Sequence, residues 1–190
     1  MKSKENRLKI ANQILTQAFK ENKSANYVVK KSDEKHLSRL MNYALWQGEN
    51  FGNVFLNDEQ NTAAVVIEPQ RKKTTLKSLY QDVKFVFNVC GLSKAHKALK
   101  KENITHKTFP KNIDYIQLWF LGVEKDQQGQ GLGSQMIHKI KDFYKGKTQA
   151  ILLETSTLKN IAFYQKNGFE VYHVNQNDFG FDFYFLIFRY

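Results

Sequence analysis

Across residues 128–134 glycine takes every second position, at Gly129, Gly131 and Gly133, and no other stretch constrains the chain so tightly. Residues 113–123 ahead of it are apolar and aromatic and nearly free of turn formers, which reads as a buried strand. Behind it Leu132, Met136, Ile140 and Phe143 recur at helical spacing. Glycines at a strand-to-helix junction let the backbone approach a ligand closely and turn its N–H groups toward it. A helix N-terminus adds unpaired donors and a partial positive charge, which together favour phosphate. Strand, glycine loop and helix therefore predict a phosphate cradle built from Gln128, Gly129, Gln130, Gly131, Leu132, Gly133 and Ser134.

Spacing narrows the ligand. A P-loop ends in Gly-Lys-Ser/Thr, whereas Ser134 and Gln135 follow Gly133 here. A dinucleotide fingerprint sets its glycines tight against the strand, yet five polar residues, 124–128, intervene and Ser134 stands where its last glycine belongs. Glu154 lies where a ribose-binding acid would fall, about 20 residues on, so that reading is weakened but open. The run from Gln128 to Gly133 matches the Gln/Arg-x-x-Gly-x-Gly/Ala signature of the GCN5-related N-acetyltransferases (GNAT). Downstream, Asn160, Phe163-Tyr164 and Gly168-Phe169 stand in the register of that family's second signature. The resemblance covers residues 113–190 well and the first hundred in outline. One departure is Lys125, where the family often carries proline two residues after the strand-ending valine.

The resemblance implies an acetyl-coenzyme A-dependent enzyme that acetylates a primary amine by direct attack, without a covalent intermediate and without a metal. It implies that residues 128–134 hold the coenzyme's pyrophosphate, with Asn160 and Tyr164 beside it. In this family the central strand splays from its neighbour and offers backbone groups to the pantetheine and thioester, a role that falls here on Leu121, Gly122 and Val123. Gly122 in a bulky strand also suits a bulge. Tyr164 sits four residues after Asn160, on one helical face, and a phenol of pKa near 10 keeps its proton at neutral pH, as a thiolate-protonating acid must. An acceptor amine of pKa near 10.4 needs a base, and Glu154, ending an apolar strand, is the candidate. Tyr115, Gln117 and Trp119 share one face of the central strand and, with Asp114, are expected to reach the acceptor.

Composition sets the remaining bounds. A chain of 190 residues, 42% hydrophobic with two prolines, predicts one globular domain spanning 1–190. No apolar run approaches the roughly 20 residues that cross a bilayer, and the N-terminus has no apolar signal core. The single cysteine, Cys90, reads as a core thiol and fits a reducing cytoplasm. None of the five histidines forms a spaced metal pair. Up to Asn112 there are 21 Lys+Arg against 10 Asp+Glu, and from Ile113 onward 8 against 8. Six lysines fall within residues 94–111 (Lys94, Lys97, Lys100, Lys101, Lys107 and Lys111), with Glu102 the lone acid. These read as a solvated basic face, since the interleaved arginines and aromatics of a nucleic-acid surface are missing. An acceptor-recognition face is the sharper alternative.

Periodicity gives the elements. Leu8, Ala11, Ile14, Leu15, Ala18 and Phe19 predict a first helix. Residues 27–29 predict a short strand or loop. Ser32 is the expected cap of a helix striped by Leu37, Leu40, Met41, Ala44 and Leu45 and ended by Gly48 and Asn50. Residues 51–56 and 62–67 predict an antiparallel hairpin. Residues 71–111 form a helical, basic insert, expected between the third and fourth strands: Leu76, Leu79, Tyr80, Val83, Phe87 and Cys90 read as a core-facing stripe ending at Gly91, and Ser93 caps a helix to about Glu102. Residues 113–190 carry the coenzyme-binding core, with a strand at 149–155, a helix capped by Ser156 or Thr157, and last strands at 169–174 and 180–190. The fold class is α/β (α+β): a mixed, mostly antiparallel sheet flanked by helices, with a helical insert before the central strand. The acceptor is a small-molecule amine or a protein amine, with neither membrane nor nucleic acid as partner, and the chain a monomer or homodimer. A non-catalytic acyl-coenzyme A sensor and a protein-directed acetyltransferase are the rival readings.

Overall fold

The computed structural model describes residues 4–190, so the helix entry expected at Met1–Ser3 lies outside the described residues. The chain opens with α1 (Lys4–Ala18), α2 (Lys23–Val28) and α3 (Glu34–Phe51). α2 replaces the short strand or loop expected at 27–29: the Asn22 side chain accepts from the Ala25 N–H and caps one and a half turns that bury Val28. α3 buries the predicted stripe, but Asp33, not Ser32, is its cap, accepting from His36 N–H at 2.8 Å. Nor does Gly48 end it. A Cβ there would stand 2.9 Å from Val65 and 3.0 Å from Val54, so the glycine serves close packing of helix on sheet.

β1 (Gly52–Leu56) and β2 (Thr62–Ile67) form the predicted hairpin, closed by Asn57, whose side chain accepts from the Asn61 and Thr62 N–H groups. The insert follows: α4 (Leu76–Phe85), a π-helical turn (Val86–Cys90) and α5 (Leu92–Thr108). It sits between the second and third strands, one strand earlier than expected, because 27–29 is helical. α5 starts at Gly91, whose φ of 64° breaks the preceding turn, and outruns the expected end at Glu102. Then come β3 (Tyr115–Val123), α6 (Leu132–Tyr144), β4 (Ala150–Thr155), α7 (Lys159–Lys166), β5 (Glu170–Asn175) and β6 (Phe183–Arg189). α7 begins with Leu158 at its cap rather than Ser156 or Thr157, whose hydroxyls are engaged by Ser24 N–H and the Asn22 amide.

Among the described residues the strands make one six-stranded sheet, ordered β1-β2-β3-β4-β6-β5 and antiparallel except where β3 meets β4. Ala63, Val65 and Phe120 pack toward α1 and α3, while Ile116 and Leu118 pack toward α6. Val65 and Val66 pair with Phe120 and Leu118, which leaves Trp119 as an extra residue on β3. This bulge turns Trp119 and Phe120 to the same side. Beyond it Gly122 faces α1, where a Cβ would stand 2.8 Å from Ala18, so helix packing accounts for this glycine and the bulge lies three residues earlier.

One predicted core face is not core. Leu76, Leu79, Tyr80 and Phe87 are 89%, 54%, 63% and 60% exposed, and Val83 is exposed as well. α4 instead turns Ser78 and Phe85 inward, held by Tyr43, whose hydroxyl donates to Asp82 at 2.7 Å and whose ring lies 4.4 Å from that of Phe85. Cys90 is buried as expected, and burial pushes its thiol up to about 12. No helix among the described residues is long and apolar enough to cross a membrane.

Candidate active site

β3 and β4 pair only at Tyr115–Ala150, Ile116–Ile151 and Gln117–Leu152, and then part. From Leu118 onward β3 has a partner on the β2 side alone, so its other edge presents free backbone groups. The gap opens into a cleft of about 180 Å³ walled by β3, β4, α2, α3, α5 and α7, with Ile67 of β2 and Phe85 of α4. β3 supplies Tyr115, Gln117, Trp119 and Leu121, and β4 supplies Glu154. α7 adds Asn160 and Tyr164, α3 adds Tyr43 and Gln47, and α5 adds Lys101 and Thr105. The strand face expected to be wet is the one that lines it, as alternation ahead of the bulge requires. Asp114 does not join it: its carbonyl accepts from Thr148, Gln149 and Ala150 at the far end of the strand.

Glu154 is the hub. Its side chain is 5% exposed, accepts from the Gln117 amide at 3.1 and 3.2 Å, and lies 3.7 Å from the Lys101 ammonium. Tyr164 is buried against Phe163 and Phe169, with ring centroids 5.1 and 5.7 Å away. Its burial, and then the Glu154 carboxylate, hold its phenol well above the ordinary range and keep it protonated. Tyr115 is raised by the same two causes in the same order.

The glycine loop reaches the cleft through α7. Gly129 and Gly131 have φ of 83° and 81°, which L side chains rarely adopt, and a Cβ on either would meet nothing within 4 Å. They shape an open concavity of backbone at the start of α6, for which Gly131 is the cap. Gly133 serves packing instead, since a Cβ there would stand 3.0 Å from the Phe163 ring, and its absence admits α7. The Asn167 amide donates to Ser134 Oγ at 3.1 Å, and Gln128 donates to the Val123 carbonyl at 3.2 Å, fixing both ends of the loop. Of the residues expected to hold the coenzyme, Leu121, Asn160 and Tyr164 line the cleft, whereas Gly122, Val123 and the whole loop Gln128, Gly129, Gln130, Gly131, Leu132, Gly133 and Ser134 lie outside its lining.

Only part of the basic stretch is the solvated face that composition suggests: Lys100, Lys107 and Lys111 are exposed, and Lys94, Lys97 and Lys101 are half-buried. Lys94 donates to the Val29 carbonyl at 2.7 Å, and Lys97 lies over the Tyr27 ring. Lys100 pairs with Asp178 at 3.0 Å, and Lys101 turns to Glu154. Their charge clamps α5 over the cleft. Sequence reasoning passed over Tyr43, Gln47 and Thr105. Tyr43 and Gln47 flank the apolar stripe of α3 at i, i+4 spacing, a signal that any solvated helix face also gives.

Residues 97–171 match the model of the acetyltransferase (GNAT) domain. Three solved structures resemble the chain along nearly its whole length. An agmatine N-acetyltransferase variant in its apo form aligns with TM-score 0.69 at 11% identity, over 99% of this chain and 97% of that one. The histone acetyltransferase HPA2 and related acetyltransferase from Corynebacterium glutamicum aligns at 0.67 and 18%, over 97% and 91%. Arylalkylamine N-acetyltransferase 2 from Aedes aegypti aligns at 0.62 and 13%, over 98% and 96%. At these identities the likeness is one of fold. The IAA acetyltransferase from Bacillus cereus matches only locally, over 40% of this chain and 62% of its own length. No curated relative matches the sequence.

Proposed function

We propose, from the GNAT domain and the GNAT fold that this chain carries, that it transfers an acetyl group from acetyl-coenzyme A to a primary amine by direct attack in a ternary complex. One juxtaposition supports this reading: the free edge of β3, beyond its last pairing with β4, opens on the cleft where Glu154 and Tyr164 stand. The cosubstrate fits the chain. The open concavity at Gly129 and Gly131 would take its pyrophosphate, and the β3 edge at Leu121, Gly122 and Val123 its pantetheine amides. Bound there, acetyl-coenzyme A supplies an activated acyl group. Glu154 then takes a proton from the acceptor ammonium, directly or through water, so that the neutral nitrogen attacks the acyl carbon. As the carbon–sulfur bond breaks, Tyr164 gives its proton to the sulfur and is reprotonated by the N–H proton that the new amide nitrogen sheds, directly or through water, while Asn160 orients the ligand from the same helix face.

Two of the whole-length neighbours are named for small amines, and the cleft is walled on many sides by side chains of helices and strands; both favour a small-molecule acceptor over a protein chain. The test is an amine panel assayed by release of free thiol from acetyl-coenzyme A. Amine-dependent thiol release is expected. Tight coenzyme binding with no release for any amine would make the protein an acyl-coenzyme A-binding module instead.

A further inference from the structure

The cleft holds two buried polar groups that the proposed chemistry does not use. Gln47 and Thr105 both line it and are 5% and 8% exposed, yet Gln47 Oε1 and Thr105 Oγ1 have no hydrogen-bond partner. Buried polar atoms without partners are rare, and each loses free energy until a ligand or water answers it. The orientation of Gln47 follows from its neighbours. Tyr43 gives its hydroxyl proton to the Asp82 carboxylate at 2.7 Å, so its oxygen can only accept from Gln47, which it does at 2.7 Å from Nε2. The end of the amide left without a partner is therefore its carbonyl oxygen, and Gln47 lines the cleft, so a donor entering there would answer it. The Trp119 and Tyr43 rings meet edge to face at 6.3 Å, an apolar corner next to it.

We infer, resting on the acetyltransferase reading, that Gln47 sets acceptor specificity: the cleft takes a primary amine whose far end carries a hydrogen-bond donor, a hydroxyl or a second amine. Its length follows from β3. Gln117 marks the Glu154 end, and Trp119, whose ring meets that of Tyr43, the hydrogen-bond partner of Gln47, marks the other. Two residues of strand span roughly 7 Å, which is the reach of a four- or five-carbon chain. The reacting nitrogen lies by Glu154, the apolar stem crosses Trp119, and the donor reaches Gln47. An amine ending in a methyl would bury the Gln47 carbonyl unanswered.

The experiment compares 5-aminopentan-1-ol, 1,5-diaminopentane and hexylamine, which match in length and differ at one end. Each is titrated calorimetrically into the coenzyme A-loaded protein and assayed for thiol release, with the parent and with Gln47→Met. The parent is expected to prefer a donor-ended amine over hexylamine by about tenfold or more. Gln47→Met, which keeps the length and loses both polar ends, is expected to bring that ratio within twofold; which donor-ended amine leads separates hydroxyl from amine. Equal affinity for all three, no binding of any, or a preference that survives Gln47→Met in a variant with the parent's melting profile each overturns the inference. Should the variant not fold, the ratio on the parent alone decides. Selective binding without thiol release would sustain it and sink the acetyltransferase reading instead.

Discussion

Tyr164 shows how much can rest on one hydroxyl. Tyr164→Phe keeps the ring against Phe163 and Phe169, so the fold and coenzyme affinity should hold while kcat falls by roughly 10²–10⁴ under conditions where chemistry limits turnover. A kcat within about threefold of the parent would leave Tyr164 a packing residue. The raised phenol also sets a sign: its proton stays on above pH 10, so the rate profile should show no alkaline fall from this group in the assayable range. The glycines divide their labour at the same scale. Gly131→Glu puts an anion on a left-handed residue at the mouth of the cradle, and a folded variant with unchanged calorimetric affinity for coenzyme A would refute the cradle. Nothing in the residue types alone separates open Gly131 from Gly133, which faces the Phe163 ring; only the packing of α7 does.

Elements were legible where period and burial coincide. The α3 stripe, the hairpin, Met136 and Ile140 of α6 and the alternating face of β3 follow from spacing, whereas Phe143 is 43% exposed and Ile137 and Tyr144 take its place in the core. α4 was misread because its stripe is as regular as a core helix's, yet the Tyr43–Asp82 bond and the Phe85 ring seat it by its opposite side. Periodicity reports that a helix has an apolar face, not which way it is turned. Leu79→Ser should therefore move stability by no more than about 0.5 kcal/mol, whereas Leu45→Ala in α3 should cost about 2–5 kcal/mol in denaturant unfolding. α5 was misread for a related reason, since counting lysines cannot show that Lys94 and Lys101 turn inward while Lys100 stays exposed beside Asp178. Reversing Lys100 and Lys101 to glutamate sets like charges against Asp178 and Glu154 and should raise the acceptor KM while calorimetric coenzyme A affinity holds. Equal loss for both ligands would point to a displaced α5.

Across the molecule, buried tyrosines and one thiol tie stability to alkaline pH. Burial raises Tyr43, Tyr144, Tyr164 and Tyr172 above their ordinary 10.0, and Cys90 from 9.0 to about 12. Each group holds its proton more tightly folded than unfolded, so its contribution is complete below the unfolded pKa and is lost as pH climbs toward the folded one. Denaturant midpoints should be level up to about pH 9 and decline beyond it; a midpoint unchanged at pH 11 would contradict the burial of these groups.

The three residue pairs that close β3 onto β4 are also, among the described residues, the only ladder that sets the two halves of the sheet in step. Tyr164 and Glu154 belong to the half beyond that seam, and Gln117 and Trp119 to the half before it. Strand side chains change faces at every residue, so a slip of one position at Gln117–Leu152 would swing Glu154 away from the Gln117 amide and out of the cleft altogether. Every side chain needed for chemistry would still be present and the sheet would still be a sheet. Loss of the proposed activity by misregistration, with no proposed catalytic residue altered, is thus built into this architecture, and Leu152 and Ile151, which carry no chemistry themselves, are its guards.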